Sequence, residues 1–512
     1  MQGGGIMNRS LTVVAAALWI LCSQPALAAG LTSCEKLTTL ALSNARIDSA
    51  QMVAAGSFVQ PTGRGNPNTY ARLPAFCRVT ATLTPTSDSD IKIEVWLPDT
   101  DWNGKFEAVG NGGWAGTIPY ASLAASLGAG YATAGTDTGH TGGTGDFALG
   151  HPEKLIDFAH RSIHEMTVQA KVIINAHYGN AAKLSYYNGC STGGRQGLAA
   201  AQKYPEDFNG IIAEAASWNQ MRAHGARVAL SLVVNRTPEN VIPPSKYSMI
   251  HEAVINSCDA SDGVKDGVLE NPAVCKFDYA DLLCKAGDGP NCLTKGQVES
   301  AKAMTSPLKD PKSGKTLFDG HLMPGSELGW ATIGGPQPLN LSVSGMRNVT
   351  FQDRNWDFHT MDISADVDRA ANSDNGELYS GDPNLKAFFA HGGKLLMYHG
   401  WSDQQVNPIN SVMYYENVLK AVGKSKAANS IALFMVPGMN HCQGGPGTDT
   451  FDKVKVLEEW VEQRKKPTQI IASHVTNGQV DKTRPLCPYP QVAKYKGTGS
   501  TNEAASFACS MP

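Results

Sequence analysis

One serine in this sequence stands in a turn suited to nucleophilic chemistry. Gly189-Cys190-Ser191-Thr192-Gly193 follows the apolar run 184–188 and precedes a helix-like stretch through Gln202. Glycines on either side of the serine let a strand and a helix approach closely, and the sharp turn presents the hydroxyl. That hydroxyl is a weak nucleophile unless a base takes its proton and an acid orients the base. In a sheet built this way the acid and then the histidine follow along the chain, each on a loop after a later strand. Asp403, beyond 394–398, and His441, beyond 431–436, meet that order. His399, His140, His151, His160 and His164 compete for the role of base, and order along the chain favours His441. A developing oxyanion needs two backbone N–H donors. Thr192 supplies one by position, and Gly112 or Gly113 of Gly110-Asn111-Gly112-Gly113 the other.

Two cysteines bear on this assignment. Cys190 immediately precedes Ser191, and Cys442 immediately follows His441. A working pair holds the serine oxygen about 3 Å from the histidine nitrogen. Their chain neighbours then come within bridging distance, which predicts a Cys190–Cys442 disulfide.

A second constellation is carboxylate-rich, Cys258-Asp259-Ala260-Ser261-Asp262-Gly263-Val264-Lys265-Asp266-Gly267-Val268. Oxygen ligands along one curled loop suit a hard cation such as Ca2+. Asp259, Asp262 and Asp266 would give carboxylates, and Val264 and Val268 main-chain carbonyls. The spacing is not that of an EF-hand, whose terminal glutamate is absent. The bland alternative is an Asp/Gly turn without metal.

These residues need a large scaffold. The chain has 512 residues, 42% hydrophobic and 17% charged, with a formal net charge of −3. That is more than one compact unit holds, so a main domain with an insertion is expected. No basic face argues for a nucleic-acid partner. Arg9, the apolar run 11–21 and Ala26-Leu27-Ala28 read as a cleavable export signal over 1–28, too short for a membrane span. The expected location is therefore secreted or periplasmic. Of eleven cysteines, Cys22 falls in that leader, and the remaining ten suit disulfides in an oxidising compartment. No feature specifies an oligomeric state.

Strand-like runs at 105–109, 184–188, 394–398 and 431–436, each ending in a glycine-rich turn, predict a mostly parallel sheet with loops at its carboxyl edge. Between 218 and 383 that alternation fades and Cys258, Cys275, Cys284 and Cys292 cluster. The expected organisation is an α/β-hydrolase core over 29–217 and 384–512 with a lid inserted at 218–383. An amphipathic helix is expected over 454–463.

Gly-Cys-Ser-Thr-Gly-Gly-Arg-Gln-Gly at 189–197, the Asp-rich run at 258–267, Tyr-His-Gly-x-Ser-Asp at 398–403, Val-Pro-Gly-Met-Asn-His-Cys at 436–442 and Thr-Arg-Pro-Leu-Cys-Pro-Tyr-Pro at 483–490 together resemble the tannase and feruloyl esterase family. The resemblance implies the triad Ser191, Asp403 and His441 and a calcium ion in the lid on Asp259, Asp262, Val264, Asp266 and Val268. It also implies the pairs Cys34–Cys77, Cys258–Cys275, Cys284–Cys292 and Cys487–Cys509. The implied substrate is a small ester of an aromatic acid, feruloyl or galloyl. Members that cleave mono(hydroxyethyl) terephthalate hold its carboxylate with an arginine late in the lid. The stretch 375–380 offers none, with Arg369 the nearest alternative. Trp401, beside Asp403, is a candidate for the substrate pocket or for the core. The competing readings are a peptidase and a calcium-dependent binding protein on a degenerate hydrolase scaffold.

Overall fold

The computed structural model describes residues 1–4, 32–61 and 66–512. The expected leader therefore lies outside the described residues except for its first four. Nine strands form one sheet: β1 (Ala45–Val53), β2 (Phe76–Leu83), β3 (Ile91–Pro98), β4 (Lys105–Val109), β5 (Ala132–Thr136), β6 (Leu184–Cys190), β7 (Gly210–Glu214), β10 (Lys394–Gly400) and β11 (Ile431–Val436). A short separate hairpin holds β8 (Leu308–Lys309) and β9 (Thr316–Phe318). The order in the large sheet is β1-β2-β3-β5-β4-β6-β7-β10-β11. From β5 to β11 all neighbours run parallel, while β1, β2 and β3 extend the sheet antiparallel. The four strands anticipated from glycine-ended apolar runs are β4, β6, β10 and β11.

Central parallel strands are covered on both faces, so they carry apolar residues without polar alternation. In β11 all six residues are buried. Successive side chains still point to opposite faces. Tyr187, Leu395 and Met397 join one core with Ile163, Met166 and Val412, whereas Tyr186, Leu396 and Tyr398 join another with Leu457 and Trp460. The second core holds the helix Lys453–Gln463 against the sheet, which begins one residue before its expected start.

Between the ends of β7 and β10, residues 215–393 add no strand to the large sheet. This segment has apolar cores of its own, one around Ile250, Leu293 and Trp330 and one around Ala226, Met346 and Val367. Its two ends meet where the Ser380 N–H donates to the Trp218 carbonyl at 2.8 Å and Asn219 pairs with Tyr379. The neck lies close to the boundaries anticipated at 218 and 383.

All five anticipated disulfides are formed: Cys34–Cys77, Cys190–Cys442, Cys258–Cys275, Cys284–Cys292 and Cys487–Cys509. Four are local, spanning 8 to 43 residues, whereas Cys190–Cys442 spans 252. Closing so long a loop in the unfolded chain is the larger restriction, worth about 5 kcal/mol on the chain-entropy account. Cys190→Ala combined with Cys442→Ala is therefore expected to lower the guanidinium midpoint of unfolding more than Cys284→Ala with Cys292→Ala. Equal midpoints for the two double variants would contradict this.

Candidate active site

Ser191 sits between β6 and the helix Thr192–Lys203 at φ 61°, ψ −118°. A residue with a side chain held at positive φ costs about 1–3 kcal/mol and persists only where its surroundings enforce it. Here the Ser191 N–H donates to the Glu214 carbonyl at 3.0 Å, and the Arg195 N–H donates to the Ser191 carbonyl at 3.0 Å. A Cβ on Gly189 would lie 2.6 Å from the carbonyl carbon of Gly193, so the strand and helix can meet this closely only with glycine there. Gly400 has the same role at the end of β10, where a Cβ would collide with the carbonyls of Met439 and Asn440. The loops carrying Asp403 and His441 are thereby brought together.

Asp403 is fully buried. One carboxylate oxygen accepts from the N–H groups of Gln405 and Val406 at 2.7 and 2.8 Å. The other lies 2.7 Å from His441 Nδ1 and 3.0 Å from His399 Nε2. Burial would push this carboxyl up, but His441 and the bond from His399 outweigh it and hold the group well below the usual aspartate range. An ionised Asp403 fixes the proton of His441 on Nδ1 and leaves Nε2 free to accept. His399 is not a rival base. Its Nε2 also faces the Val406 carbonyl at 2.9 Å, and its Nδ1 meets the Ser411 hydroxyl at 2.8 Å. A ring nitrogen between two acceptors carries its proton, so His399 clamps Asp403 by donating to it.

The other candidate histidines are engaged elsewhere. His140 bonds the Trp114 carbonyl, His151 pairs with Asp88, His160 with Glu377 and His164 with Asp207.

Ser191 and His441 line one cleft of about 790 Å³. One ring nitrogen of His441 and the two sulfurs of Cys190 and Cys442 lie within 4.8 Å of one another. Because the sulfurs are bonded to each other, they are a brace and not thiolate ligands. Gly112 and Gly113 also line the cleft, and the Thr192 hydroxyl donates to the Gly113 carbonyl at 2.9 Å. The Asn111 N–H is taken by Gln196 Oε1 at 3.1 Å. Among the described residues the N–H groups of Gly112, Gly113 and Thr192 have no internal partner. Glu107, Ser126, Tyr131 and Lys453 also line the cleft.

Trp401 is not among the residues lining the cleft. It is 5% exposed, packs in the main core and borders a small separate cavity with Val268 and Leu269. A large indole gains most where its whole surface packs against apolar neighbours, as it does in this core. Arg369 is also elsewhere, its guanidinium 4.2 Å from the Phe351 ring centroid, and none of 375–380 lines the cleft. Sequence reasoning missed Gln220, His224 and Arg227, which line an annex beside Ser191. Their i, i+4, i+7 spacing puts a polar stripe on one face of the largely apolar helix Gln220–Val234, a signal that could have been noticed.

The Asp-rich loop lies away from the cleft, at the end of the helix Tyr247–Cys258. Asp259 Oδ1 is buried without a partner. Its Oδ2 accepts from the Gly267 N–H, Asp262 accepts from Val264 and Asp266 from Val268. Asp266 also pairs with Arg484 and Lys482. Burial, then the neighbouring carboxylates, push Asp262 up to about 6. The carbonyls of Val264 and Val268 accept no hydrogen bond among the described residues.

Comparison with known proteins bears on all of this. The family model for tannase and feruloyl esterase matches residues 77–510. An uncharacterized esterase of Xanthomonas campestris pv. campestris is 33% identical, with 99% of this chain and 95% of the relative covered. A probable feruloyl esterase B of Aspergillus clavatus is also 33% identical, over 85% of this chain and 86% of its own. The crystal structure of feruloyl esterase B from Aspergillus oryzae superimposes with a TM-score of 0.86 at 30% identity, covering 93% of this chain and 99% of that one. With its α/β fold and this match over most of its length, the chain belongs to the tannase and feruloyl esterase family, a family of carboxylic ester hydrolases.

Proposed function

We propose that this protein is an exported serine esterase that cleaves small esters of aromatic acids, feruloyl or galloyl, through an acyl-enzyme on Ser191. The observation that carries the reading is the buried Asp403 bonded to His441 at 2.7 Å, with His441 lining the same cleft as the strained Ser191. Ser191 Oγ attacks the ester carbonyl carbon while His441 Nε2 takes its proton. The carbonyl oxygen becomes an oxyanion held by the N–H of Thr192 and that of Gly112 or Gly113, each such donor being worth about 3–4 kcal/mol in the transition state. The C–O bond to the alcohol then breaks, and His441 returns the proton to the leaving oxygen. Water, deprotonated by His441, attacks the acyl carbon; the bond to Ser191 Oγ then breaks, His441 returns the proton to that oxygen, and the acid leaves.

The insertion at 218–383 acts in this reading as a lid, since Leu341 reaches the main cleft and Gln220 and Arg227 reach its annex. Export is supported by five disulfides, which persist in oxidising compartments. The placement of Arg369 over Phe351 does not favour a terephthalate monoester as substrate.

A calcium ion fits the Asp-rich loop. The unpartnered, buried Asp259 Oδ1 supports this, as do the burial and then the neighbouring carboxylates that raise Asp262. Asp259, Asp262 and Asp266 would hold Ca2+ with the carbonyls of Val264 and Val268. Its contribution would be structural, fixing the loop that the Cys258–Cys275 bridge closes.

Two outcomes are expected. Ser191→Ala should fold normally by circular dichroism and lower turnover of methyl ferulate or methyl gallate by at least about 10⁴-fold; retained turnover would overturn the mechanism. Removal of Ca2+ with EGTA should lower the melting temperature, and added Ca2+ should restore it. At a hundred times its dissociation constant the ion stabilises by about 2.7 kcal/mol. A melting temperature indifferent to both treatments would remove calcium from the account.

A further inference from the structure

Beside Ser191 a second, smaller cavity of about 30 Å³ forms an annex to the cleft. Gly113, Ser191, Leu341 and Gln405 line both spaces, so the annex opens where an acyl group on Ser191 would lie. Its inner end is formed by Gln220, His224 and Arg227, which are 3%, 4% and 5% exposed.

Hydrogen bonding there is incomplete in a particular way. Arg227 Nε and Nη2 and Gln220 Oε1 are buried without partners. His224 Nδ1 faces the Ser342 hydroxyl at 3.1 Å and Arg227 Nη1 at 3.5 Å, and its Nε2 faces the Gln220 amide nitrogen at 3.5 Å. Burial first, then the adjacent guanidinium groups of Arg227 and Arg195, push His224 well below its ordinary range, so the ring is neutral. The charges facing Arg227 are few, Asp403 being the attractive one. Burying such donors and an acceptor unpaired costs about 1–3 kcal/mol each, more where the group is charged. The annex therefore presents unpaired donors from Arg227 beside an unpaired acceptor from Gln220.

We infer that the annex receives a ring hydroxyl of the acyl group, with Arg227 donating to its oxygen and Gln220 Oε1 accepting its proton. The inference rests on Ser191 being the acylated residue. Size and valence both select a hydroxyl. The annex holds about one water-sized group, and a carboxylate would bring acceptors only and leave Gln220 Oε1 unpaired. Arg227 and Gln220 are thus specificity residues on the acid side of the ester. A site built to bond a hydroxyl rejects the analogue that lacks it, because its own polar groups are left bare.

The test uses the full chain and compares kcat/KM for two pairs of methyl esters: 4-hydroxycinnamate with cinnamate, and 3,4,5-trihydroxybenzoate with benzoate. Monomethyl terephthalate provides a carboxylate arm, and p-nitrophenyl acetate reports the assembled machinery with an acyl group too short to reach the annex. The hydroxylated ester is expected to exceed its parent by at least about 100-fold in one series. Gln220→Leu and Arg227→Met, each checked for folding by circular dichroism, should reduce that ratio at least tenfold. Equal kcat/KM within both pairs, or monomethyl terephthalate as the best substrate, would overturn the inference while leaving the esterase reading intact if acetate is still released. Loss of turnover on every ester, the acetate included, would overturn both. A variant that folds yet keeps the full ratio would also overturn the inference, and equal kcat/KM within both pairs in the unsubstituted enzyme overturns it even if neither variant folds.

Discussion

The bond between Cys190 and Cys442 is the constraint around which the rest of the molecule is arranged. It joins two loops 252 residues apart in sequence, at a Cα separation of 6.0 Å, and each cysteine adjoins a residue of the proposed triad. Ser191 and Cys442 both hold positive φ. Conformations of that kind survive where neighbouring structure leaves no alternative. The parallel strands β6, β7, β10 and β11 lie side by side in the sheet, so their carboxyl ends deliver the serine, aspartate and histidine loops to one edge. The disulfide then removes the freedom that two loops joined only by side-chain contacts would retain.

Electrostatics finish what the covalent link begins. Asp403 is buried, yet four groups favour its ionised form: two backbone N–H donors, His441 and His399. A buried carboxylate is costly without such compensation. The Ser411 hydroxyl at His399 Nδ1 sets that ring so that it donates to Asp403 and the Val406 carbonyl. One helix residue thereby reaches, through a histidine and an aspartate, the tautomer of His441. The insertion contributes differently: it brings Leu341 to the cleft and Gln220 and Arg227 to the annex beside Ser191, while Ser191, Asp403 and His441 all come from the core.

Much of this was legible in the sequence because chemistry of this type has strict local requirements. The glycines around Ser191, the order Ser191, Asp403, His441 and the cysteines next to the first and last of them follow from chain geometry alone. The sheet was legible where apolar runs end in glycine, since buried parallel strands show no polar alternation. Other features depend on contacts between distant segments. His399 reads as a rival base until its two acceptors are known. Trp401, close to Asp403 in sequence, reads equally as a pocket or a core residue, and only the folded chain shows that it turns into the core. Gln220 and Arg227 acquire meaning only when the insertion folds back beside Ser191.

The central claim is that the disulfide holds Ser191 and His441 as a working pair. It is tested most directly by the rate at which a fluorophosphonate labels the protein, with the modified residue located by peptide mass spectrometry. The account predicts labelling at Ser191 in the oxidised protein and labelling at least tenfold slower in the folded Cys190→Ala, Cys442→Ala double variant. Labelling at another serine, or an unchanged rate at Ser191 once the bridge is gone, would contradict it.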